Sequence, residues 1–340
     1  MESTPKRKPT PTIADVAKKS GVGVGTVSRV LNDSPLVKER TRRHVRDVID
    51  ELGYRPNSLA RQLRTGRSMT VCVIAPFFTR PAMVERLRGF VRPLTIDGYE
   101  VVLYDVETPE QRDEQLRRLE ANSAADGALL LLPPNEVEAL RLAERGISAI
   151  LIAATHPSLP HIVVDDVRGG YLATRHLLDL GHHRIAFVGD LVDQHFGFTS
   201  SRDRRTGYLE ALKEANADLD PILITEAPHG RSTAETRAEE LMRLPEPPTA
   251  IFATSDTQAL GVLDAAHHAG LEVPRDLSVI GFDDIEVSAY VGLTTVRQPL
   301  RESGELGAEL LLRMLVGEPV VPLERQLPLE LVVRRTTAAP

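Results

Sequence analysis

The chain has 340 residues, of which 42% are hydrophobic, so it is long enough for two or three domains with buried cores. No apolar run is as long as the roughly 18 residues that a membrane-spanning helix needs. Residues 1–11 are polar and basic, without the apolar stretch of a secretion signal. Cys72 is the single cysteine, which excludes a disulfide within one chain. Together these features predict a protein of the cytoplasm.

Charge is distributed unevenly along the chain. Residues 1–67 carry 15 Lys and Arg against 7 Asp and Glu, a net charge of +8. Residues 68–340 carry 26 against 41, a net charge of −15, and the two parts together give the formal charge of −7. A basic region on an acidic remainder is typical of nucleic-acid contact confined to that region, although a solvated basic tail fits the charge equally well.

The basic region contains signals for three short helices. Residues 12–15 have the form of a capping box, and the first helix should end at Gly21. A second helix is expected from about Val24 until the turn-forming residues 32–35, and a third over residues 38–52 before Gly53. Two short helices around a glycine turn, closed by a third helix, are typical of a helix-turn-helix domain.

The residues themselves are more specific than this pattern. TIADVAKKSGVGVGTVSRVLN, followed by TRRHVRDVIDELGYRPN, closely resembles the headpiece of the lactose-repressor (LacI/GalR) family of bacterial transcription regulators. The resemblance implies a DNA-binding domain over residues 1–56. It also implies that the second helix enters the major groove of an operator.

The resemblance points to particular DNA contacts in this domain. Arg29 is the expected base-reading residue because its guanidinium can pair with guanine O6 and N7, although a phosphate contact is the alternative. Val24 can touch a thymine methyl group, whereas Gly25 offers only backbone. Gly23 departs from the family, which usually has a small hydroxyl residue there. The expected DNA-binding residues are Thr12, Val24, Gly25, Thr26, Ser28, Arg29, Asn32 and Tyr54.

Residues 57–67 match the hinge helix of the family. Eight or so residues with few apolar side chains rarely hold a helix alone, so the segment is expected to fold on DNA. Leu63 matches the leucine that wedges into the minor groove, and Asn57 and Ala60 are the other expected contacts. A plain flexible linker is the alternative.

From residue 69 onward, apolar runs alternate with amphipathic stretches. This alternation predicts parallel sheets with helical crossovers, and the number of strands favours two Rossmann-like subdomains. The predicted strands are 70–75, 100–105, 128–132, 149–152, 161–164, 184–188, 222–225, 250–253 and 277–282. The predicted helices include 83–95, 171–180, 204–215, 234–244 and 259–269.

The acidic part also resembles the effector core of the same family, which has the periplasmic-binding-protein fold. The matching landmarks are GHHRIA from residue 181, RxxGY from residue 204, SDxxALG from residue 255, VIGFDD from residue 279 and LTTVRQP from residue 293. The resemblance implies three crossings between subdomains, near Asp165, Thr295 and Pro322. The first subdomain would then hold residues 68–165 and 296–322, and the second residues 166–295 and 323–340.

Ligands of such sheets bind beyond the carboxyl ends of the strands. The resemblance places Arg204, Ser255 and Asp283 at effector-contacting positions, and Gln298 in the lining of the cleft. Phe77 and Phe78 could form an apolar wall for a sugar ring, and so could Phe196 and Phe198. Core packing of the phenylalanines and an internal salt bridge of Arg204 and Asp283 are the alternatives. The resemblance implies a sugar-type effector, and sugar phosphates, nucleosides and purines are the alternatives that the family offers. No dense Lys/Arg cluster at the proposed cleft demands a phosphate.

The sequence contains no Gly-x-Ser-x-Gly elbow and no His-Glu-x-x-His pair, so neither an enzyme nor a metal or cofactor site is predicted. The favoured function is a repressor that binds operator DNA and a small effector. An activator with the same parts, or an enzyme or transport binding protein with an incidental basic head, are the alternatives. A two-fold operator implies a homodimer, and a dimer rather than a tetramer is expected because no leucine heptad follows residue 334.

Overall fold

A computed structural model describes residues 11–31, 33–54, 66–122, 125–191, 196–217 and 219–340. The chain divides into two compact units, Met1–Ser68 and Met69–Pro340. The predicted contacts Asn32, Asn57, Ala60 and Leu63 lie outside the described residues, as does most of the predicted hinge. Within the described part of the chain, no helix is long and apolar enough to cross a membrane.

The N-terminal unit has the three predicted helices: α1 Ile13–Ser20, α2 Val24–Leu31 and α3 Glu39–Leu52. The Thr12 hydroxyl accepts from the backbone N–H of Asp15, whose carboxylate accepts in return from the N–H of Thr12, so the predicted capping box is present. Gly21 ends α1 with φ of 67° and Gly53 ends α3 with φ of 61°, conformations that favour glycine. The helices close over a small core of Val16, Ala17, Val27, Val30, Val45 and Val48.

The C-terminal unit is built on two six-stranded sheets, which we call the first and second lobes. The strands are β1 Thr70–Pro76, β2 Glu100–Val106, β3 Gly127–Leu130, β4 Ser148–Ile152, β5 His161–Val164, β6 Ile185–Asp190, β7 Ile224–Ala227, β8 Ala250–Ala253, β9 Ser278–Asp283, β10 Thr294–Arg297, β11 Glu324–Leu327 and β12 Glu330–Val332. The first lobe has the order β11-β5-β4-β3-β1-β2, and the second β12-β10-β9-β8-β6-β7. The β10–β12 pair is antiparallel and the other pairs are parallel.

Helices cover the faces of both sheets, as parallel strands require. They are α4 Pro81–Ile96, α5 Pro109–Asn122, α6 Glu136–Glu144, α7 Asp166–Asp179, α8 Ser200–Glu214, α9 Arg231–Met242, α10 Asp256–His268, α11 Glu286–Val291 and α12 Leu300–Leu315. Each sheet has a buried apolar cluster on either face. The predicted fold class, a helix-turn-helix head with an α/β core of two Rossmann-like subdomains, is confirmed.

Two of the three predicted crossings between the lobes lie a few residues before the observed ones. The chain does cross near Asp165, between β5 and α7. It crosses again at Gln298, after β10, and a third time at Pro328, between β11 and β12, rather than near Thr295 and Pro322. The prediction assigned β11 to the second lobe, but this strand pairs with β5 of the first. Its polar sequence, ERQL, carries no apolar alternation that could have marked it as a strand.

Glycines bring the helices of each lobe into close contact. A Cβ at Gly304 of α12 would overlap the carbonyl oxygen of Arg86 on α4. In the second lobe, a Cβ at Gly170 of α7 would overlap the carbonyl oxygen of Arg204 on α8. In both lobes the backbone of an arginine therefore rests directly against a neighbouring helix, which only glycine permits.

We expect Gly304→Ala to lower the free energy of unfolding of the C-terminal unit by about 3 kcal/mol, because α4 and α12 must separate to admit the methyl group. Urea unfolding of the full chain measures this loss. Glu309→Ala, at an exposed position of the same helix, is the control and should be near neutral. Equal stability of the two variants would contradict the close packing.

Candidate functional site

The second helix of the N-terminal unit has one buried and one exposed face. Val27 and Val30 enter the core, while Val24, Gly25 and Arg29 are exposed on the surface. The Gly23 carbonyl accepts from the N–H groups of the next turn, so α2 begins there with no side-chain cap. This arrangement leaves the first turn of α2 free to approach another molecule.

The other predicted DNA-binding residues of this unit surround that face or support it. Thr26 and Ser28 are partly exposed, and Thr12 is exposed at the start of α1. Tyr54 is half-buried against the small core, so it has a packing role as well. The structure thus places the predicted residues of α2 on one surface.

The C-terminal unit contains a cavity of about 330 Å³ between the lobes. The first lobe contributes Pro133 and Ile152 to its lining, and the second contributes Phe198 and Arg204. Asp165 and Gln298 line it where the chain crosses between the lobes. The cavity lies at the carboxyl ends of parallel strands, where ligands of such sheets bind.

Arg204 is held firmly at this cavity. Its Nε donates to Asp166 Oδ1 at 2.7 Å, and its Nη1 donates to the carbonyl oxygen of Thr254 at 2.5 Å. The guanidinium carbon lies 3.6 Å from the centre of the Phe282 ring, close enough for a cation–π interaction. The predicted alternative of an internal salt bridge is therefore present, and yet Arg204 still lines the cavity.

Gln298 joins the two lobes through its side-chain amide. Its Nε2 donates to Asp283 Oδ1 at 2.5 Å, and its Oε1 accepts from Arg86 Nη2 at 3.1 Å. Asp283 belongs to the second lobe and Arg86 to the first, and all three side chains are buried. The network therefore includes two of the predicted effector residues and one residue that was not predicted.

Sequence reasoning missed Arg86, although a signal was available. Its helix buries Gly89, Phe90 and Leu94, and Arg86 lies one turn before Phe90 on the same face. A charged side chain at an apolar position of an amphipathic helix indicates a special environment. Without knowledge of what faces that helix, the pattern could not say which.

A buried carboxylate positions the loop that carries Asp283. Asp256 is fully buried and accepts from the Ile285 N–H at 3.0 Å and from the Ser288 hydroxyl at 2.6 Å. It also accepts from the Thr295 hydroxyl at 2.6 Å. These bonds hold the end of β9, where Asp283 has φ of 118°, a conformation that costs energy in a non-glycine residue.

The remaining predicted effector residues lie outside the cavity lining. Ser255 caps α10: its hydroxyl accepts from the Gln258 N–H at 3.2 Å and donates to that side chain at 2.9 Å. Phe77 makes an edge-to-face contact with Phe196 at 5.8 Å, and Phe78 packs against the core of the first lobe. The aromatic wall of the cavity is Phe198.

Two family models match the chain. "Bacterial regulatory proteins, lacI family" matches residues 12–57, and "Periplasmic binding protein-like domain" matches residues 174–337. The chain is also 32% identical over 342 residues to the HTH-type transcriptional repressor CytR of Escherichia coli (strain K12), covering 98% of each protein. The chain belongs to the LacI family. The predicted family is confirmed, and its members are transcription regulators rather than enzymes.

Solved structures support this assignment of the LacI-family chain. The lac repressor dimer bound to operator and the anti-inducer ONPF has a TM-score of 0.83 and 28% identity, covering 97% of this chain and 100% of that one. The complex of the transcriptional regulator CelR with cellobiose has a TM-score of 0.70 and 30% identity, covering 96% and 99%.

Burial perturbs the carboxylates of this regulator. It raises the pKa of Asp256 from 3.8 to about 7, and the nearby Asp283 raises that pKa further, while the three donated hydrogen bonds only partly oppose the change. The pKa of Asp283 is raised as well, chiefly by burial. The folded state therefore keeps protons that the unfolded chain has already released.

We expect the contribution of Asp256 to the free energy of unfolding to fall as the pH rises from about 4 to 7, by up to about 1.4 kcal/mol per pH unit. Its contribution is complete below pH about 4 and is lost as the pH rises through 7. Urea unfolding across this range should give a shallower slope for Asp256→Asn than for the wild type, whereas the exposed control Asp97→Asn should keep the wild-type slope. Identical slopes for all three proteins would contradict the perturbed pKa.

Proposed function

We propose that this LacI-family regulator is a repressor that binds a pseudo-palindromic operator as a homodimer. A small effector in the cavity between the lobes would control its affinity for the operator, and the protein would act in the cytoplasm, where bacterial DNA lies. The observation that carries the proposal is an exposed α2 face on one unit, combined with a polar interlobe cavity in the other. The repressor CytR and the operator-bound lac repressor dimer support it by similarity.

The DNA-binding role rests on charge and exposure. The net charge of +8 on residues 1–67 favours contact with phosphates, and α2 is short enough to lie in the major groove. Arg29 is exposed at the end of this surface and would read a guanine. Thr26 and Ser28 would contact phosphates, which set the register without reading sequence.

The effector role rests on the chemistry of the cavity. Arg204 and Gln298 line it and Asp283 bonds to Gln298, so donors and acceptors converge on one space. A sugar fits such a lining because its hydroxyls both donate and accept, and Phe198 offers an apolar surface to the ring. The volume of about 330 Å³ lies at the small end of the range for ligand pockets, about 300–1,000 Å³. The complex of CelR with cellobiose supports a sugar by similarity.

We propose three functional segments: residues 1–56 for DNA binding, 57–67 as a hinge, and 68–340 for effector binding and dimerisation. A hinge of marginal stability can fold or melt after a small change in the spacing of two subunits. The effector would act by favouring one arrangement of the lobes, and the operator would change effector affinity by the same factor.

Selection from a randomised duplex library at low salt, with and without sugars, would identify an operator. Arg29→Ala should then weaken binding by about 1–3 kcal/mol and relax specificity at one base pair in each half-site. Titration of the wild type and the variant against operators changed at single positions measures both effects. A uniform loss on every sequence would reassign Arg29 to a phosphate, and failure of the wild type to bind any duplex would overturn the proposed function.

Leu63→Ala tests the hinge. A wedge that unstacks a base step contributes to the operator complex and not to the cavity, so the variant should bind operator more weakly while effector affinity stays nearly unchanged. Fluorescence anisotropy of the operator and calorimetric titration of the effector measure the two affinities. Unchanged operator affinity would show that residues 57–67 are a plain linker.

A further inference from the structure

Arg86 lines the cavity between the lobes, and among the described residues no carboxylate lies within ion-pair distance of it. The residue is 7% exposed and lines the cavity. Its hydrogen bond to Gln298 goes to a neutral amide oxygen, and its Nε has no partner among the described residues. Within that same part of the chain, Arg86 forms no ion pair.

Arg204 lines the same cavity, but unlike Arg86 it has partners for its charge and for its hydrogen-bond donors. It has a carboxylate partner in Asp166 and a backbone carbonyl partner in Thr254. A buried charge without such partners is costly, and proteins normally pair it. Burial lowers the pKa of Arg86, while the negative charges of Asp283 and Asp166 oppose this change and the positive charge of Arg204 adds to it.

The carboxylates that line the cavity are engaged elsewhere. Asp166 is paired with Arg204, and Asp165 accepts from the Arg168 N–H at the start of α7. Asp203 accepts from Arg202 Nε at 3.1 Å. The unmatched group of the described lining is therefore a cation, and its natural complement is an anion that enters from the cavity.

We propose that the effector is an acidic sugar whose carboxylate or phosphate accepts hydrogen bonds from the guanidinium of Arg86. This inference rests on the proposed effector function of the cavity. The hydroxyls of the same molecule would meet Gln298 and the other polar groups of the lining. An anion between Arg86 of the first lobe and Arg204 of the second would also offset their mutual repulsion, so its binding would favour the closed cleft.

The sequence showed no dense basic cluster and hence no reason to expect an anion. One buried arginine is enough for a single carboxylate or phosphate, because its planar fork can donate two parallel hydrogen bonds to either group.

The test compares neutral sugars with their acidic counterparts on the full-length protein. The probes are glucose with gluconate, glucuronate and glucose 6-phosphate, galactose with galactonate and galacturonate, and ribose with ribose 5-phosphate. Melting temperature and calorimetric titration report binding. At least one acidic probe should bind more than tenfold more tightly than its neutral parent, and whether that probe is a sugar acid or a sugar phosphate tells the two anions apart.

Variants assign this preference to Arg86. R86M should lose the acidic probe by tenfold or more, and R86K should keep part of the affinity because it retains the charge without the planar fork. R92M, at an exposed position of the same helix, should bind like the wild type. Without ligand, R86M should melt at or above the wild-type temperature, because it removes an unpaired buried charge. A clearly lower melting temperature would make Arg86 a structural residue and overturn the proposal.

Two further outcomes would overturn the proposal, and they are distinguishable. If a neutral sugar binds as tightly as its acidic counterparts, and R86M leaves that affinity unchanged, the effector is not acidic but the proposed effector function stands. If no probe binds, both the acidic effector and the sugar effector are wrong. Operator binding, measured separately, then decides whether the DNA-binding part of the proposed function survives.

Discussion

A buried side-chain amide connects the two lobes. Gln298 lies where the chain crosses from the second lobe to the first, and it bonds to Asp283 on one side and to Arg86 on the other. Because buried polar groups must keep their partners, the lobes cannot change their relative position freely without breaking one of these bonds or replacing it. In the proposed function, a ligand in the adjacent cavity would supply the replacement and so link its binding to the geometry of the lobes.

The rest of the site is built to hold this network still. Glycines set the backbones of Arg86 and Arg204 directly against neighbouring helices, so both side chains start from fixed positions on rigid elements. Asp256 is buried away from water and accepts hydrogen bonds that hold the loop after Asp283 in place. Its raised pKa reflects the free-energy cost of burying a carboxylate. A buried carboxylate, a strained backbone position at Asp283 and the unpaired Arg86 lie in one connected network beside the cavity, a combination typical of functional sites.

In the proposed switch, the N-terminal unit would contact DNA and the C-terminal unit would bind the effector. The basic N-terminal residues favour contact with DNA phosphates, while the excess of acidic residues in the remainder opposes it, so attraction to DNA is confined to the head. The C-terminal unit places its polar network far along the chain from α2, beside the cavity between the lobes. A signal between them would have to pass through residues 57–67, a short segment whose composition gives it little stability of its own.

The sequence by itself determined the features that depend on near neighbours along the chain. The capping box at Thr12, the turn at Gly21, nine of the strands and the motifs of the LacI family could all be predicted, because capping, periodicity and turns involve residues a few positions apart. Arg204 and Gln298, which the family resemblance suggested as effector positions, both line the cavity, although their contact with an effector stays a prediction. Only the tertiary structure decided which side chains meet. Arg86 and Gln298 are 212 positions apart, yet their side chains bond to each other. Ser255 caps its own helix, and Phe77 and Phe78 pack against the apolar clusters of the first lobe. The strand β11 pairs in the first lobe, whereas the prediction assigned it to the second. Those outcomes depend on how distant elements pack and on the register of their strands, and no local pattern carries that information.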